Sequence, residues 1–114
     1  MPLCEITTSI EPRDTKALSL KAASVVADLL SKPLSYVMAL VHYNPSLTFG
    51  GTDEAAVLVN VGSIGAVGGE KNKAIVAGIT ELIGQELVVP ANRVYVWIHD
   101  IPRTDFGLSG TTFG

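Results

Sequence analysis

The sequence contains one cysteine, Cys4, among its 114 residues. A single thiol excludes an intrachain disulfide, a paired-cysteine redox motif and a zinc site built from cysteines, and it fits a reducing compartment. Positive charge is also scarce, with 8 Lys and Arg against 11 Asp and Glu and a net charge of −3. The basic residues are scattered along the chain, so no cationic stripe is available for phosphates. We therefore do not expect nucleic acid to be a partner.

Long hydrophobic runs are absent as well. No uncharged run approaches the roughly 20 residues that a membrane-spanning helix needs. The start of the chain, Met1-Pro2-Leu3-Cys4-Glu5, lacks the basic and apolar regions of a secretory signal peptide. We therefore expect no membrane association and a cytoplasmic location.

Apolar residues are nevertheless abundant in a chain of this length. They make up 47% of the sequence, and the mean hydropathy is +0.38. A chain of this size forms one domain, here residues 1–114, and its small core hides only part of that apolar surface. The excess predicts self-association.

The first half of the chain has the pattern of strand, helix and strand. β-branched residues alternate over residues 3–10, which predicts a strand near the N-terminus. Arg13-Asp14-Thr15 supplies a helix start, and a second strand is predicted over residues 36–43. The predicted inward stripe of the helix is Leu18, Ala22, Val25 and Leu29.

The second half repeats this plan. A strand is predicted over residues 55–61, a helix over 72–87 and a strand over 93–99, and both helix-to-strand junctions share the pattern Pro-x-x-x-Val. The inward residues of this helix are predicted to be Ile75, Ile79, Leu82 and Ile83. We therefore predict an α/β (α+β) fold, in which a duplicated β-α-β unit forms a four-stranded mixed sheet with two helices on one face.

The strands over residues 55–61 and 94–98 are apolar on both faces. Each strand must therefore bury a second side that the two helices do not cover. A closed homo-oligomer solves this problem, and threefold packing of such sheets around an axis would satisfy it.

Pro2 is the sharpest local feature with chemical potential. If Met1 is removed, Pro2 presents a secondary amine, and the strand that follows holds this amine at the end of a sheet instead of on a frayed tail. Burial in an apolar pocket lowers the pKa of an amine towards neutrality, as a general base requires. The alternative is that Met-Pro is an ordinary chain start without a catalytic purpose.

Other residues leave alternatives open. Lys32 either interacts with the carbonyl groups at the end of the first helix or presents a cation to a substrate carboxylate. The glycines between Ser63 and Gly69 match no nucleotide-binding motif, and we expect a tight turn whose N–H groups are able to hold a carboxylate. Tyr95 and Trp97 project to one face of the last strand, either as core or as a pocket wall.

His42 and His99 are expected to be structural or surface residues. Each ends an apolar strand, and neither has the spacing that recruits a second metal ligand. We therefore predict no metal site.

Several segments are distinctive when taken together. They are Met1-Pro2, Lys32-Pro33 with Tyr36-Val37-Met38, Phe49-Gly50-Gly51-Thr52, Ser63-Ile64-Gly65 with Gly68-Gly69, Asn92-Arg93-Val94-Tyr95 and Gly110-Thr111-Thr112-Phe113. In this order and spacing over the whole chain, they make the sequence resemble the macrophage migration inhibitory factor and D-dopachrome tautomerase family from end to end.

The resemblance implies a homotrimeric keto–enol tautomerase that acts on arylpyruvates such as phenylpyruvate and hydroxyphenylpyruvate, with dopachrome-type compounds as artificial substrates. It implies Pro2 as the catalytic base, and neither a metal nor an organic cofactor. Lys32 and the Ile64 backbone of the same subunit would bind the substrate, Tyr95 and Trp97 would come from the neighbouring subunit, and Phe106 would lie on the pocket wall.

Three positions depart from the family pattern. Trp97 stands where the best-known members carry a smaller polar residue, Leu108 replaces a common aromatic residue, and Phe106 is bulkier than the usual aliphatic residue. A narrower pocket mouth and slower turnover are therefore expected. The paired cysteines of some vertebrate relatives are replaced by Val57 and Asn60, so thiol-oxidoreductase activity is expected to be absent.

The alternative function is that of a cytokine-like ligand for a host cell-surface receptor with weak or residual tautomerase activity. The resemblance suggests this because family members behave in this way and are secreted without a signal peptide. Replacement of Pro2 would separate the two functions.

Overall fold

Two β-α-β units form one mixed sheet in the computed structural model, which describes all residues from Met1 to Gly114. The main strands lie in the order β2-β1-β3-β4, with β1 parallel to β2, β3 parallel to β4 and the central pair β1 and β3 antiparallel. The predicted fold class is confirmed. The elements are β1 (Pro2–Thr8), α1 (Thr15–Leu30), β2 (Met38–Tyr43), β3 (Val57–Ser63), α2 (Glu70–Leu87), β4 (Val94–Asp100) and a small hairpin of β5 (Gly107–Leu108) and β6 (Thr111–Thr112).

Side-chain hydrogen bonds explain where the strands differ from their predicted bounds. β1 ends at Thr8 instead of residue 10 because the Thr8 hydroxyl bonds both the N–H and the C=O of Ile10, which turns the chain. β3 begins at Val57 instead of residue 55. The preceding Ala56 N–H donates instead to the Ser9 hydroxyl, at 2.9 Å.

The helices cover one face of the sheet. Asp14 caps α1, its carboxylate accepting a hydrogen bond of 3.0 Å from the Ala17 N–H. α2 begins at Glu70, two residues earlier than predicted, because the Asn72 side chain accepts from the Gly68 N–H inside the first turn. Neither helix has the length and apolarity to cross a membrane.

The core lies between the helices and the sheet. Every residue predicted to be inward on α2 is buried, whereas the buried stripe of α1 continues through Val26 and Leu30 instead of Val25 and Leu29. Leu29 is half-buried because it packs against α2 at Gly78, where a Cβ atom would come within 2.8 Å of both Leu29 methyl groups. The interhelical contact therefore rotates α1 slightly from its predicted orientation.

The two Pro-x-x-x-Val junctions have the same structure. Each helix ends in a residue with positive φ, Ser31 at 53° and Val88 at 55°, and a proline then begins a single 3₁₀ turn that leads into the next strand. The internal duplication thus extends to the loops. The segment from Pro102 to Phe106 has the same form, with a 3₁₀ turn at Arg103–Asp105.

The other face of the sheet is left uncovered by this chain. Its central row runs across the four strands through Leu40, Glu5, Asn60 and Trp97. On the edge strand β4, Tyr95 and Trp97 are 63% and 59% exposed. The Asn60 carboxamide oxygen is buried without a hydrogen-bond partner, which is unusual for a polar atom. The second face predicted from the sequence is therefore left uncovered by this chain, but it is mixed in polarity, because Glu5 and Asn60 lie in its central row.

Candidate active site

Pro2 lies buried at one end of the sheet. It is the first residue of β1 and pairs with Ser63, the last residue of β3, which in turn pairs with Asp100 at the end of β4. Proline suits the first position of a strand because it has no N–H to contribute to the ladder. The ends of three strands therefore meet around the prolyl ring.

Lys32 is directed to this end of the sheet by the way α1 terminates. The Lys32 N–H bonds the Ala27 carbonyl at 2.9 Å and the Ser31 N–H bonds the Asp28 carbonyl at 3.2 Å, which is a Schellman motif. The backbone therefore caps the helix. The Lys32 ammonium is half-buried and forms no ion pair within the chain, and its charge acts on the N-terminal amine.

The loop after β3 brings Ile64 beside Pro2. The Ile101 N–H donates to the Ser63 carbonyl at 2.8 Å, and the Gly65 N–H donates to the Asp100 carboxylate at 3.1 Å. Gly65 and Ala66 both have positive φ, as a tight turn requires. The Ile64 N–H itself donates no hydrogen bond within the chain. It is thus a fixed donor without a partner.

The N-terminal amine, here on Met1, has an altered acidity. Burial lowers its pKa below the ordinary value, and the positive charges of Lys32 and then Arg103 lower it further. A lower pKa leaves more of the amine in the neutral, basic form at neutral pH. Burial and these two cations therefore favour the neutral form of the Met1 amine.

An open cleft of about 420 Å³ begins at Met1. Its walls are largely apolar and come from the 3₁₀ turn before β2, from β2 and from the C-terminal hairpin. The lining residues are Met1, Ser35, Tyr36, Val37, Met38, Ala39 and Leu108. The cleft therefore offers largely apolar walls, and the Met1 amine at its start lies within the influence of the Lys32 and Arg103 charges.

Tyr95 and Trp97 lie away from Pro2 within the chain. Tyr95 pairs with Leu58, five residues before Ser63, which corresponds to about 16 Å along the strand. Trp97 pairs with Asn60 and stacks on His99 with ring centroids 4.3 Å apart. A single chain therefore brings Pro2, Lys32 and Ile64 together and leaves Tyr95 and Trp97 elsewhere on the sheet.

Phe106 belongs to the C-terminal segment. It packs edge to face on Phe113 with centroids 5.9 Å apart, and the Phe113 N–H donates to the carbonyls of both Phe106 and Arg103. The same segment carries Leu108 into the cleft. Phe106 is therefore held rigidly near the site by its own chain.

Comparison with known proteins identifies the family of the chain. Residues 1–114 match the family described as macrophage migration inhibitory factor (MIF). The chain belongs to the MIF family. The MIF homolog of Trichuris trichiura is 35% identical over 114 residues, covering 99% of this chain and all of the relative, and that of Brugia malayi is 36% identical over the full length of both.

Solved structures of MIF proteins share the fold. The MIF homologue from Prochlorococcus marinus superimposes with a TM-score of 0.92 at 34% identity, over 98% of this chain and 99% of the other. The MIF of Trichinella spiralis gives a TM-score of 0.91 at 28% identity, over 97% and 99%. The match to both sequences and structures extends over essentially the whole domain.

Sequence reasoning missed several residues of this MIF-family site. Tyr36 and Met38 were recognised only as part of a matching segment, and Leu108 only as a departure from the family pattern, yet all three line the cleft. Arg103 was not singled out. No local pattern in the sequence links Arg103 to this end of the sheet, because the Pro-x-x-x turns at Pro33 and Pro90 lie at opposite ends.

Cys4 lies on β1, two residues after Pro2. Burial, with a smaller effect of the Glu5 charge, raises the pKa of its thiol to about 12. The thiol is therefore protonated at physiological pH and is a poor nucleophile. Its role is to pack in the core.

Proposed function

We propose that this MIF-family protein is a keto–enol tautomerase for arylpyruvates, with the Pro2 nitrogen as its general base after removal of Met1. The observation that carries the proposal is that Pro2 and the unbonded Ile64 N–H lie together at one end of the sheet, while the charges of Lys32 and Arg103 act on the amine at the start of the adjoining apolar cleft. Tautomerisation is an isomerase reaction.

The mechanism uses only groups at this end of the sheet. The neutral Pro2 amine removes a proton from the carbon next to the substrate ketone, which leaves an enolate. The Lys32 ammonium and the Ile64 N–H bind the carboxylate and the developing enolate oxygen. The prolinium then returns the proton to oxygen, or to carbon in the reverse direction, while Tyr36, Met38 and the C-terminal hairpin contact the aromatic ring. These groups supply acid, base and oxyanion stabilisation without a cofactor.

The proposal includes a homotrimer. The exposed side chains of Tyr95 and Trp97 and the uncovered sheet face support burial against other copies of the chain. In such an assembly, Tyr95 and Trp97 of one subunit approach the Pro2 cleft of the next, and Trp97 with Phe106 narrows its mouth. Light scattering or native mass spectrometry should give the mass of three chains, and a monomer at micromolar concentration would contradict this part.

The test of the base is phenylpyruvate tautomerisation by protein whose free Pro2 is verified by mass spectrometry. The Pro2→Gly variant, and a form that retains Met1, should each lose at least about a hundredfold in kcat/KM because general-base catalysis is removed. Circular dichroism of all three proteins controls for folding. Undiminished turnover by either form would refute the role of Pro2.

A complementation experiment tests the shared site. Pro2→Gly and Tyr95→Ala subunits are each weakly active alone, and random 1:1 co-assembly should restore about one quarter of the sites, because each site takes Pro2 from one subunit and Tyr95 from its neighbour. The activity of the mixture is compared with the two homotrimers mixed without subunit exchange. No gain after refolding together would place Tyr95 outside the site.

A second candidate function is cytokine-like binding to a host receptor, which the names of the relatives favour. It predicts that the Pro2→Gly protein, folded and trimeric but without tautomerase activity, still changes the migration of macrophages. The wild-type protein serves as positive control and a heat-denatured sample as negative control. Absence of an effect from the wild type would remove this candidate.

A further inference from the structure

The C-terminal 3₁₀ turn carries a second cation, Arg103, near the end of the sheet that holds Pro2. Arg103 follows β4 by three residues, and β4 ends at Asp100 beside Ser63 and Pro2. The Phe113 N–H bonds the Arg103 carbonyl at 3.2 Å, so the turn is fastened to the segment that carries Leu108 into the cleft. The Arg103 backbone is therefore fixed near the end of the sheet that carries Pro2.

The guanidinium has no anionic partner in the chain, although carboxylates lie close by in sequence. The Asp105 carboxylate accepts from the Thr104 hydroxyl at 3.0 Å, and the Asp100 carboxylate holds the Gly65 N–H. The only ion pairs of the chain are Lys21 with Glu86 and Lys73 with Glu70, and neither pair includes Arg103 or Lys32. Lys32 and Arg103 are thus two unneutralised cations around one amine.

Two positive charges at one site repel each other, and an anion bound between them offsets this repulsion. A planar guanidinium binds a carboxylate through two parallel hydrogen bonds, whereas an ammonium acts as a point charge. We propose that Arg103 binds the carboxylate of the substrate together with Lys32, which makes it a specificity-determining residue for 2-oxo acids over uncharged ketones. This inference rests on the proposed tautomerase function and extends it to a residue outside the set implied by family resemblance.

The kinetic test compares a charged substrate with its uncharged match. For the Arg103→Gln variant, KM for phenylpyruvate should rise about tenfold with a small change in kcat, since one charge-assisted interaction is lost in both ground and transition states. KM for phenylpyruvate methyl ester should stay unchanged. Arg103→Lys should recover part of the loss. The control is Arg13→Gln, which removes an exposed cation from the loop at the opposite end of the sheet.

A pH profile separates direct action from a structural role. The Arg103 charge helps to lower the pKa of the Met1 amine. We expect it to act in the same direction on the Pro2 amine that is freed when Met1 is removed, so Arg103→Gln should raise the pKa of the Pro2 amine. On the acid side of the pH profile, kcat/KM falls because the base becomes protonated, and in Arg103→Gln this fall should occur at higher pH. In Arg103→Lys it should occur at the wild-type pH again. A residue that only supports the fold would leave the position of this fall unchanged.

A binding experiment is independent of turnover. Calorimetric titration with 3-phenylpropanoate should give a Kd about tenfold weaker for Arg103→Gln than for wild type, whereas 3-phenylpropan-1-ol should bind both proteins equally. Equal binding of the acid by both proteins would overturn the inference. A wild type that turns over no keto acid but binds 3-phenylpropanoate through Arg103 would refute the proposed reaction and retain the carboxylate site.

Discussion

The close contact between Gly78 and Leu29 predicts an unusual response to a helix-favouring mutation. Ala in place of Gly inside an exposed helix normally stabilises it by about 1 kcal/mol. At position 78 the new Cβ would lie 2.8 Å from both methyl groups of Leu29 and 3.3 Å from its Cγ. Because these atoms include the branch point of the side chain, rotation of one methyl does not relieve the clash, and overpacking of this kind costs about 1 to 3 kcal/mol. Gly78→Ala should therefore destabilise the protein by about 1 kcal/mol.

The same contact makes the effect depend on the partner residue. Leu29→Ala should cost about 2 kcal/mol, at the lower end of the range for buried leucines because Leu29 is only half-buried. In the Leu29→Ala background, the new Cβ of Gly78→Ala meets open space, and the substitution should stabilise the protein by about 1 kcal/mol. The double-mutant cycle should therefore give a coupling free energy of about 2 kcal/mol between positions 29 and 78. Gly84→Ala, also in α2 and with its nearest contact at 3.9 Å, is the control and should stabilise the wild type.

Urea unfolding followed by circular dichroism measures these differences. Protomer concentration must be equal in all samples, because the stability of an oligomer depends on it. If Gly78→Ala stabilises the wild type as much as Gly84→Ala does, or has the same effect with and without Leu29, the interhelical contact is not as tight as the structure describes.

Three further predictions concern other parts of the chain. Val88 is 84% exposed and has a φ of 55°, a backbone conformation that disfavours a β-branched residue. Val88→Gly should therefore raise the free energy of unfolding by about 1 kcal/mol. If urea unfolding shows that Val88→Gly is no more stable than Val88→Ala, this prediction is wrong. Asp100→Ala removes the acceptor for the Gly65 N–H. The loop that carries Ile64 should then be less firmly held, and KM for phenylpyruvate should rise about threefold. Asp100→Asn keeps an acceptor and should resemble the wild type. The Cys4 thiol, with a pKa of about 12, should not react with Ellman's reagent at pH 8 in the native protein. After denaturation it should react with one equivalent of the reagent. Rapid labelling of the native protein would refute the burial of Cys4.

Local patterns predicted most of the elements because the residues concerned obey short-range rules. The α2 stripe from Ile75 to Ile83 keeps helical spacing, and the Asp14 cap sits where its side chain bonds the first turn. Errors at the strand ends have a common cause. Thr8, Ser9 and Asn72 use side-chain hydrogen bonds to begin or end an element, and such bonds depend on partners that spacing alone does not reveal.

The site was predictable only where the family pattern named it. Pro2 is informative by its position, and Lys32 and Ile64 follow from recognised segments. The cleft residue Leu108 and the cation Arg103 come from a segment remote in sequence, and no periodicity links them to Pro2. Their proximity depends on β4 ending beside β3 and on the bond from the Phe113 N–H to the Arg103 carbonyl.

The sequence by itself determined the duplicated β-α-β plan, the amphipathic helices and the need for a second covered sheet face, because each follows from hydrophobic spacing within a short window. Tertiary structure decided which residues share the proline end of the sheet. The antiparallel pairing of β1 with β3 brings the start of one strand to the end of another, and it places Lys32, Ile64 and Arg103 around one amine while directing Tyr95 to the far end. Strand order and direction are long-range choices, so these neighbours are set only when the two halves of the chain pack together.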